Sequence, residues 1–197
     1  MLSVFKPAVE RKLHPVAKIL RNVNPNLITS GGLVFPVLFY IFIQDNAFLW
    51  ALIVLALTAT DMLDGLVARA QNKVTAFGGF FDSTVDRFAD FTVLVAFGFA
   101  GIVSWEITLI LVLLSFLISY VRSRTELASK ATLVANVGII ERTERITLIF
   151  IGLFLYSLWP DVSIAGLNFM SFTFVVLILL SIVTVIQRFV FAYRNLR

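Results

Sequence analysis

Six stretches of the chain are mostly apolar, and polar or charged breaks separate them. They run over about 27–44, 47–69, 78–103, 106–124, 145–160 and 166–188. Each is apolar all round a helical projection, which a soluble bundle avoids and a bilayer-spanning helix of roughly 20 residues requires. The pattern predicts an all-α integral membrane protein with six transmembrane helices. The first run opens at Asn24-Pro25-Asn26, where Asn24 can cap a helix and Pro25 suits its first position. Pro36 within that run is expected to bend it.

Residues 1–23 read differently. Leu2, Val4, Phe5, Val9, Leu13, Val16, Ala17 and Leu20 alternate with Lys6, Arg11, Lys12, Lys18 and Arg21. This does not resemble a signal peptide. It fits an N-terminal amphipathic helix lying on a membrane face with its cations toward anionic headgroups, a mobile basic arm being the alternative. The arm (1–23) and a six-helix bundle (24–197) are expected to form one membrane domain over residues 1–197.

Composition supports the bilayer. Of 197 residues, 59% are hydrophobic and only 14% charged, with a mean hydropathy of +0.96; soluble domains carry about a quarter charged residues. Without cysteine, disulfides and thiolate metal sites are excluded. A net charge of +4 would be compatible with nucleic acid until its distribution is considered. Alternating the six runs puts the arm, the 70–77 break, the 125–144 segment and the C-terminal tail on one face. All sixteen Lys and Arg residues lie on or toward it. The opposite turns hold Asp45, Glu106 and Asp161, and Trp50, Trp105 and Trp159 lie at that end of their runs. The positive-inside rule and the interfacial tryptophans agree on cytoplasmic termini in a cell membrane. The partners this implies are membrane lipids, with no nucleic acid. No inverted repeat of the transporter kind is present.

Five acids interrupt the second and third runs: Asp61, Asp64, Asp82, Asp86 and Asp90. Asp61 precedes Arg69 by eight residues, so it lies about 12 Å deeper along a helix rising 1.5 Å per residue. An ionised group at such depth must line a polar cavity rather than face lipid. Asp61, Asp64, Gly65 and Ala68 fall on one helical stripe, and Gly78, Asp82 and Asp86, each four apart, form a second. Turned toward each other, the stripes bring four carboxylates together, which repel unless cations join them. Hard oxygen donors suit Mg²⁺ or Mn²⁺, one or two ions, and the chemistry such a site serves is phosphoryl-type transfer. The alternative is an ion-pair network, with Arg87 joined to Asp90 or Asp86. A channel or ion transporter would also contain intramembrane acids, but it has no use for the glycines and Arg69 at this spacing. His14 in the arm is expected to be solvated.

Asp61-x-x-Asp64-Gly65-x-x-Ala68-Arg69, followed after eight residues by Gly78-x-x-x-Asp82-x-x-x-Asp86, resembles the signature of the CDP-alcohol phosphotransferases at every specified position. The resemblance covers essentially the whole chain. It implies an enzyme that moves a phosphatidyl-type group from a CDP-linked lipid to a hydroxylated acceptor and releases CMP, with two metal ions held by Asp61, Asp64, Asp82 and Asp86. It implies that Asp86 acts as general base, and that Gly65 and Arg69, with Asp64, Ala68 and Gly78 of the same motif, hold the cytidine diphosphate. Thr75 falls where the family places a nucleotide-contacting hydroxyl. Asn26-Leu27-Ile28-Thr29 resembles its Asn-x-x-Thr, making Asn26 and Thr29 nucleotide contacts or simply a helix start. The family also implies a homodimer, and the basic face onto which the acidic cavity opens makes a cytoplasmic active site the expectation.

Tyr120-x-x-x-Arg124-x-Glu126 and Gly138-x-x-Glu141-Arg142-x-Glu144-Arg145 resemble the branch that makes phosphatidylinositol phosphate or archaetidylinositol phosphate. That branch implies a small phosphorylated polyol, inositol 1-phosphate, as acceptor, with glycerol 3-phosphate as the alternative. Arg122, Arg124, Lys130, Arg142 and Arg145 are the candidates for its phosphate, with Arg188 near the end of the last run joining them. Charge alone would equally fit positive-inside residues making pairs such as Glu141–Arg145.

Overall fold

The computed structural model describes residues 25–58, 67, 69, 71, 75–129 and 137–196. Within them lie seven helices: α1 (Pro25–Gly32), α2 (Val34–Gln44), α3 (Phe48–Leu57), α4 (Ala76–Phe99), α5 (Trp105–Ala128), α6 (Arg142–Leu158) and α7 (Phe169–Asn195). A hairpin of two-residue strands, β1 (Ser163–Ile164) and β2 (Leu167–Asn168), precedes α7. Each apolar run of the sequence contains helix. The 1–23 arm lies outside the described residues. Among those described, α5 and α7 are long and apolar enough to cross a bilayer. Although α4 has the same length as α5, it carries Asp82, Asp86, Arg87 and Asp90. With 17 residues, α6 spans about 26 Å at 1.5 Å per residue.

Local chemistry sets the helix ends. The helix of the first run carries a one-residue turn at Leu33, whose amide reaches the Ser30 carbonyl (3.2 Å). The cause lies three residues on, because Pro36 has no N–H for the Gly32 carbonyl. At the end of α2, Asn46 takes a left-handed φ of 55° while its amide meets the Ile43 carbonyl and that of Ala47 meets Phe42. Gly101 does the same after α4, with φ 69° and amides of Gly101 and Ile102 on the Gly98 and Phe97 carbonyls. Both are Schellman ends, and the second stops α4 at Phe99 although apolar sequence continues to Val103. Conversely, α5 and α7 continue to Ala128 and Asn195, past the ends of their apolar runs. Charge ends an apolar run without ending a helix.

The chain divides into two compact units at Ala96–Phe97. In the first, α2 and α3 pack together, burying Phe39 and Ile43 from one and Ala51, Leu52, Val54 and Leu55 from the other. Gln44 Nε2 donates to the Ala96 carbonyl (3.0 Å), tying α2 to α4.

In the second unit α7 packs against both α5 and α6. Six of its buried positions, Met170, Phe174, Leu177, Ser181, Thr184 and Arg188, alternate spacings of four and three and so form one face. Thr108, Leu111, Ser115, Ile118 and Thr125 form the corresponding stripe of α5. Large apolar residues, among them Leu109, Leu113 and Phe116 on α5 and Leu179, Ile186 and Phe189 on α7, are exposed instead. An exposed apolar face on helices with partly polar buried stripes suits lipid rather than water. Asn168 caps α7 by accepting from the Ser171 amide (2.7 Å) and donates to the Ile102 carbonyl (2.8 Å), fixing the α4–α5 turn to the start of α7.

Candidate active site

Thr75 opens α4 as its N-cap, its Oγ1 accepting from the Gly78 amide at 3.0 Å. From that start Gly78, Asp82 and Asp86 follow four apart, all half-buried, and Asp90 one turn further is buried. Phe77, Phe80, Phe88 and Phe91 of the same helix are exposed. The acids therefore share a sheltered stripe, as the spacing predicts, while aromatic rings occupy the open face. Arg87 Nη2 lies 3.6 Å from Asp86 Oδ2, a loose ion pair in which both side chains are part-exposed. A pair of that kind is worth roughly 0–1 kcal/mol, so it does not account for placing acids along an apolar helix.

Carboxylates one helical turn apart stand about 6 Å apart at Cβ and repel unless a cation lies near. The donor set of Asp82 and Asp86, hard anionic oxygens on one face, fits Mg²⁺ or Mn²⁺ as part of a larger shell. Asp61 and Asp64, which would supply the rest, lie outside the described residues, as do Gly65 and Ala68. Among the described residues no group of three or more acidic or imidazole side chains could hold a metal by itself.

Among the nucleotide candidates, Thr29 is buried in α1 and Arg69 is exposed, while the Asn26 side chain lies outside those described. The Gln71 amide reaches the Val67 carbonyl (3.0 Å), one helical turn around Arg69. Among the acceptor candidates, Arg122 pairs with Glu126 (Nε–Oε1 3.0 Å) within α5, and Arg124 is exposed. Lys130 lies outside the described residues. Arg142 is the first residue of α6, half-buried, and Arg145 is 3% exposed.

Arg188, also 3% exposed, donates from Nε to the Val137 carbonyl (2.8 Å) and from Nη1 to the Ile118 carbonyl (2.6 Å), with Nη2 3.6 Å from Glu141 Oε1. Glu141 in turn caps α6 in a reciprocal box with Glu144, whose Oε2 accepts from the Glu141 amide (3.2 Å). One participant escapes sequence reasoning, Thr184, while Gly138 enters it only as the first residue of the branch motif. Thr184 Oγ1 accepts from the Ile140 amide (3.1 Å), and Gly138 sits at φ 141°. The available signals were a threonine four residues before Arg188 and a glycine three before a capping glutamate.

The chain as a whole has known relatives. Residues 22–187 match the CDP-alcohol phosphatidyltransferase family, and the chain belongs to it. It is therefore an enzyme of phospholipid biosynthesis, a membrane-integral transferase, and the ion-pathway alternative is set aside. Within the family the chain is 40% identical over 155 residues to the archaetidylinositol phosphate synthase of Pyrococcus horikoshii, covering 77% of this chain and 81% of that one. It is 31% identical over 201 residues to the enzyme of the same name from Methanothermobacter thermautotrophicus, covering 100% and 96%. A crystal structure of Mycobacterium tuberculosis phosphatidylinositol phosphate synthase with CDP-DAG bound superposes with a TM-score of 0.77 at 26% identity, covering 93% of this chain and 94% of that one. A second structure of that enzyme, in complex with manganese and citrate, gives 0.74 at 26% identity over 91% and 88%.

Proposed function

We propose that the chain transfers the phosphatidyl-type group of a CDP-linked lipid to inositol 1-phosphate and releases CMP. The observation that carries this is the sheltered stripe of Gly78, Asp82 and Asp86 on α4, completing a signature begun by Asp61 and Asp64. Asp61, Asp64, Asp82 and Asp86 would hold two divalent ions, which when bound neutralise pyrophosphate oxygens. Gly65, Ala68, Arg69, Thr75, Asn26 and Thr29 hold the cytidine diphosphate. Asp86 takes the proton of the acceptor hydroxyl as its oxygen bonds to the lipid-side phosphorus. The bond from that phosphorus to the bridging pyrophosphate oxygen breaks, and its electron pair leaves with CMP. No covalent enzyme intermediate is needed.

The inositol phosphate acceptor is supported by the names of the relatives and by the Gly138–Arg145 motif. Arg122, Arg124, Lys130, Arg142 and Arg145 take its phosphate, and Arg188 serves the same pocket. The chain is multi-pass, with six spans, cytoplasmic termini, the N-terminal arm on the membrane surface, and a homodimeric assembly.

The test uses purified protein in detergent with a CDP-lipid, Mg²⁺ and a panel of labelled acceptors, following CMP release. Inositol 1-phosphate is the expected substrate, and Asp82→Asn is expected to abolish turnover. Turnover with glycerol 3-phosphate in its place would overturn the acceptor. Full activity of the Asp82 variant would remove that residue from the metal set.

A further inference from the structure

We infer that Arg188 is a positioning residue, one that sets the acceptor cations Arg142 and Arg145 by clamping the segment leading into α6. This rests on the acceptor assignment above. Within one turn of α7, Thr184 and Arg188 project from the same buried face and together hold three points of residues 137–141. The Val137 carbonyl accepts from Arg188 Nε, the Ile140 amide donates to Thr184 Oγ1, and Glu141 Oε1 lies 3.6 Å from Arg188 Nη2. Thr184 Oγ1 also donates to the Leu180 carbonyl (2.9 Å), which aims its lone pair at the Ile140 amide.

A fourth point lies on α5, where the Ile118 carbonyl accepts from Nη1, so a single guanidinium joins α5, α7 and the segment before α6. Only arginine offers planar donors in directions that reach two carbonyls and a carboxylate at once; a lysine ammonium at the same site would be a point charge on a flexible stem. Gly138 completes the fit. A Cβ there would stand 2.6 Å from Thr184 Cγ2 and 3.5 Å from Arg188 Nε, so the segment lies directly against both side chains. Glu141, held at one end by this clamp, is the N-cap of α6, and Arg142 and Arg145 are in its first turn. The clamp therefore fixes where both arginines begin.

The role separates from that of a plain phosphate-binding charge in the variants Arg188→Lys, Thr184→Val and Thr184→Ser. Steady-state kinetics would be read together with amide exchange over residues 138–146. The lysine keeps the charge and loses the fork, while the valine removes no charge. Both are expected to raise the acceptor KM about tenfold, the scale of one buried hydrogen bond, with the CDP-lipid KM unchanged. Exchange at Ile140 and the first turn of α6 should accelerate in both, and Thr184→Ser should restore the wild-type values. A wild-type acceptor KM in Arg188→Lys would overturn the clamp in favour of simple charge. A neutral Thr184→Val beside an impaired Arg188→Lys would overturn it in favour of direct phosphate contact. Failure of the wild type to use any phosphorylated polyol would overturn the acceptor assignment alone. The exchange data would still decide the clamp, and an unchanged pattern would reject it.

Discussion

One methyl group at Gly152 tests how closely α6 and α7 pack. An alanine Cβ there would lie 2.9 Å from Thr173 Cβ and 3.0 Å from its Cγ2, with Thr173 Oγ1 nearer still. Carbon atoms prefer about 3.5–4.0 Å, so relief by separation alone means moving the helices apart by about 0.6–1 Å. Rotating Thr173 does not remove the clash, because its Cβ is fixed by the backbone. Rotation also breaks the bond from Oγ1 to the Phe169 carbonyl (2.8 Å). Overpacking of this kind costs about 1–3 kcal/mol, and the broken bond adds about 1 kcal/mol. Against that, Gly→Ala in a helix interior gains about 1 kcal/mol. The net expectation is destabilisation by about 1–3 kcal/mol.

Packing outweighs propensity only if the crossing is as tight as the structure shows, so the sign of the change is itself the test. Equilibrium unfolding in mixed micelles would be measured for Gly152→Ala, Thr173→Gly and the double variant, which moves the small residue across the interface. A favourable coupling of at least about 1 kcal/mol is expected between the two sites. A Gly152→Ala protein as stable as wild type, or more so, would refute the close crossing, since propensity would then act unopposed.

Three further outcomes follow from the site. Thr75→Ala should destabilise the start of α4 by about 1 kcal/mol through loss of the cap. Thr75→Asp should keep that stability yet raise the CDP-lipid KM several-fold by placing a carboxylate beside the pyrophosphate; an unchanged KM would leave Thr75 a cap only. Gly138→Ala, forced to adopt φ 141° against the Thr184 methyl, should cost about 1–3 kcal/mol locally, seen as amide exchange at Ile140 about fivefold faster or more; exchange at the wild-type rate would show that the segment is not seated on α7. Arg124→Ala and Arg142→Ala should each raise the acceptor KM while leaving that for CDP-lipid unchanged, and neutrality of both would sink the phosphate pocket.

The fold was legible where a single local rule governed it. Apolar runs located helices because apolarity all round a helix is tolerated in lipid and avoided in water. Their ends were less visible, because three separate mechanisms set them. Gly101 stopped α4 four residues inside an apolar stretch by adopting a left-handed φ, which a hydropathy pattern does not register. Pro36 acted on Gly32 rather than at its own position. Arg122 and Arg124 ended an apolar run but prolonged a helix, since hydrogen bonds along the backbone are indifferent to whether the side chains meet lipid or water. The Ser163–Asn168 hairpin was missed altogether: Ala165 and Gly166 both take positive φ (52° and 78°), but an Ala-Gly pair is a weak turn signal.

The site divides the same way, according to whether side chains or backbone provide the chemistry. Asp82 and Asp86 were legible because carboxylates one turn apart in an apolar helix repel each other and resist desolvation, a cost that a bound cation offsets. The helix does place them on one half-buried stripe. Arg188 was legible only as a cation needing partners. Its partners are mostly main-chain carbonyls, and every residue has one, so no pattern of residue types could indicate Val137 or Ile118. What the sequence could show was the company such a residue keeps: a hydroxyl one turn earlier at Thr184, and Gly138 three residues before the capping Glu141. Alone, each is a common residue for its place in a helix or a loop. Together they describe a segment pressed against a helix, and it is that pressure, rather than the charge of Arg188, that requires glycine at 138.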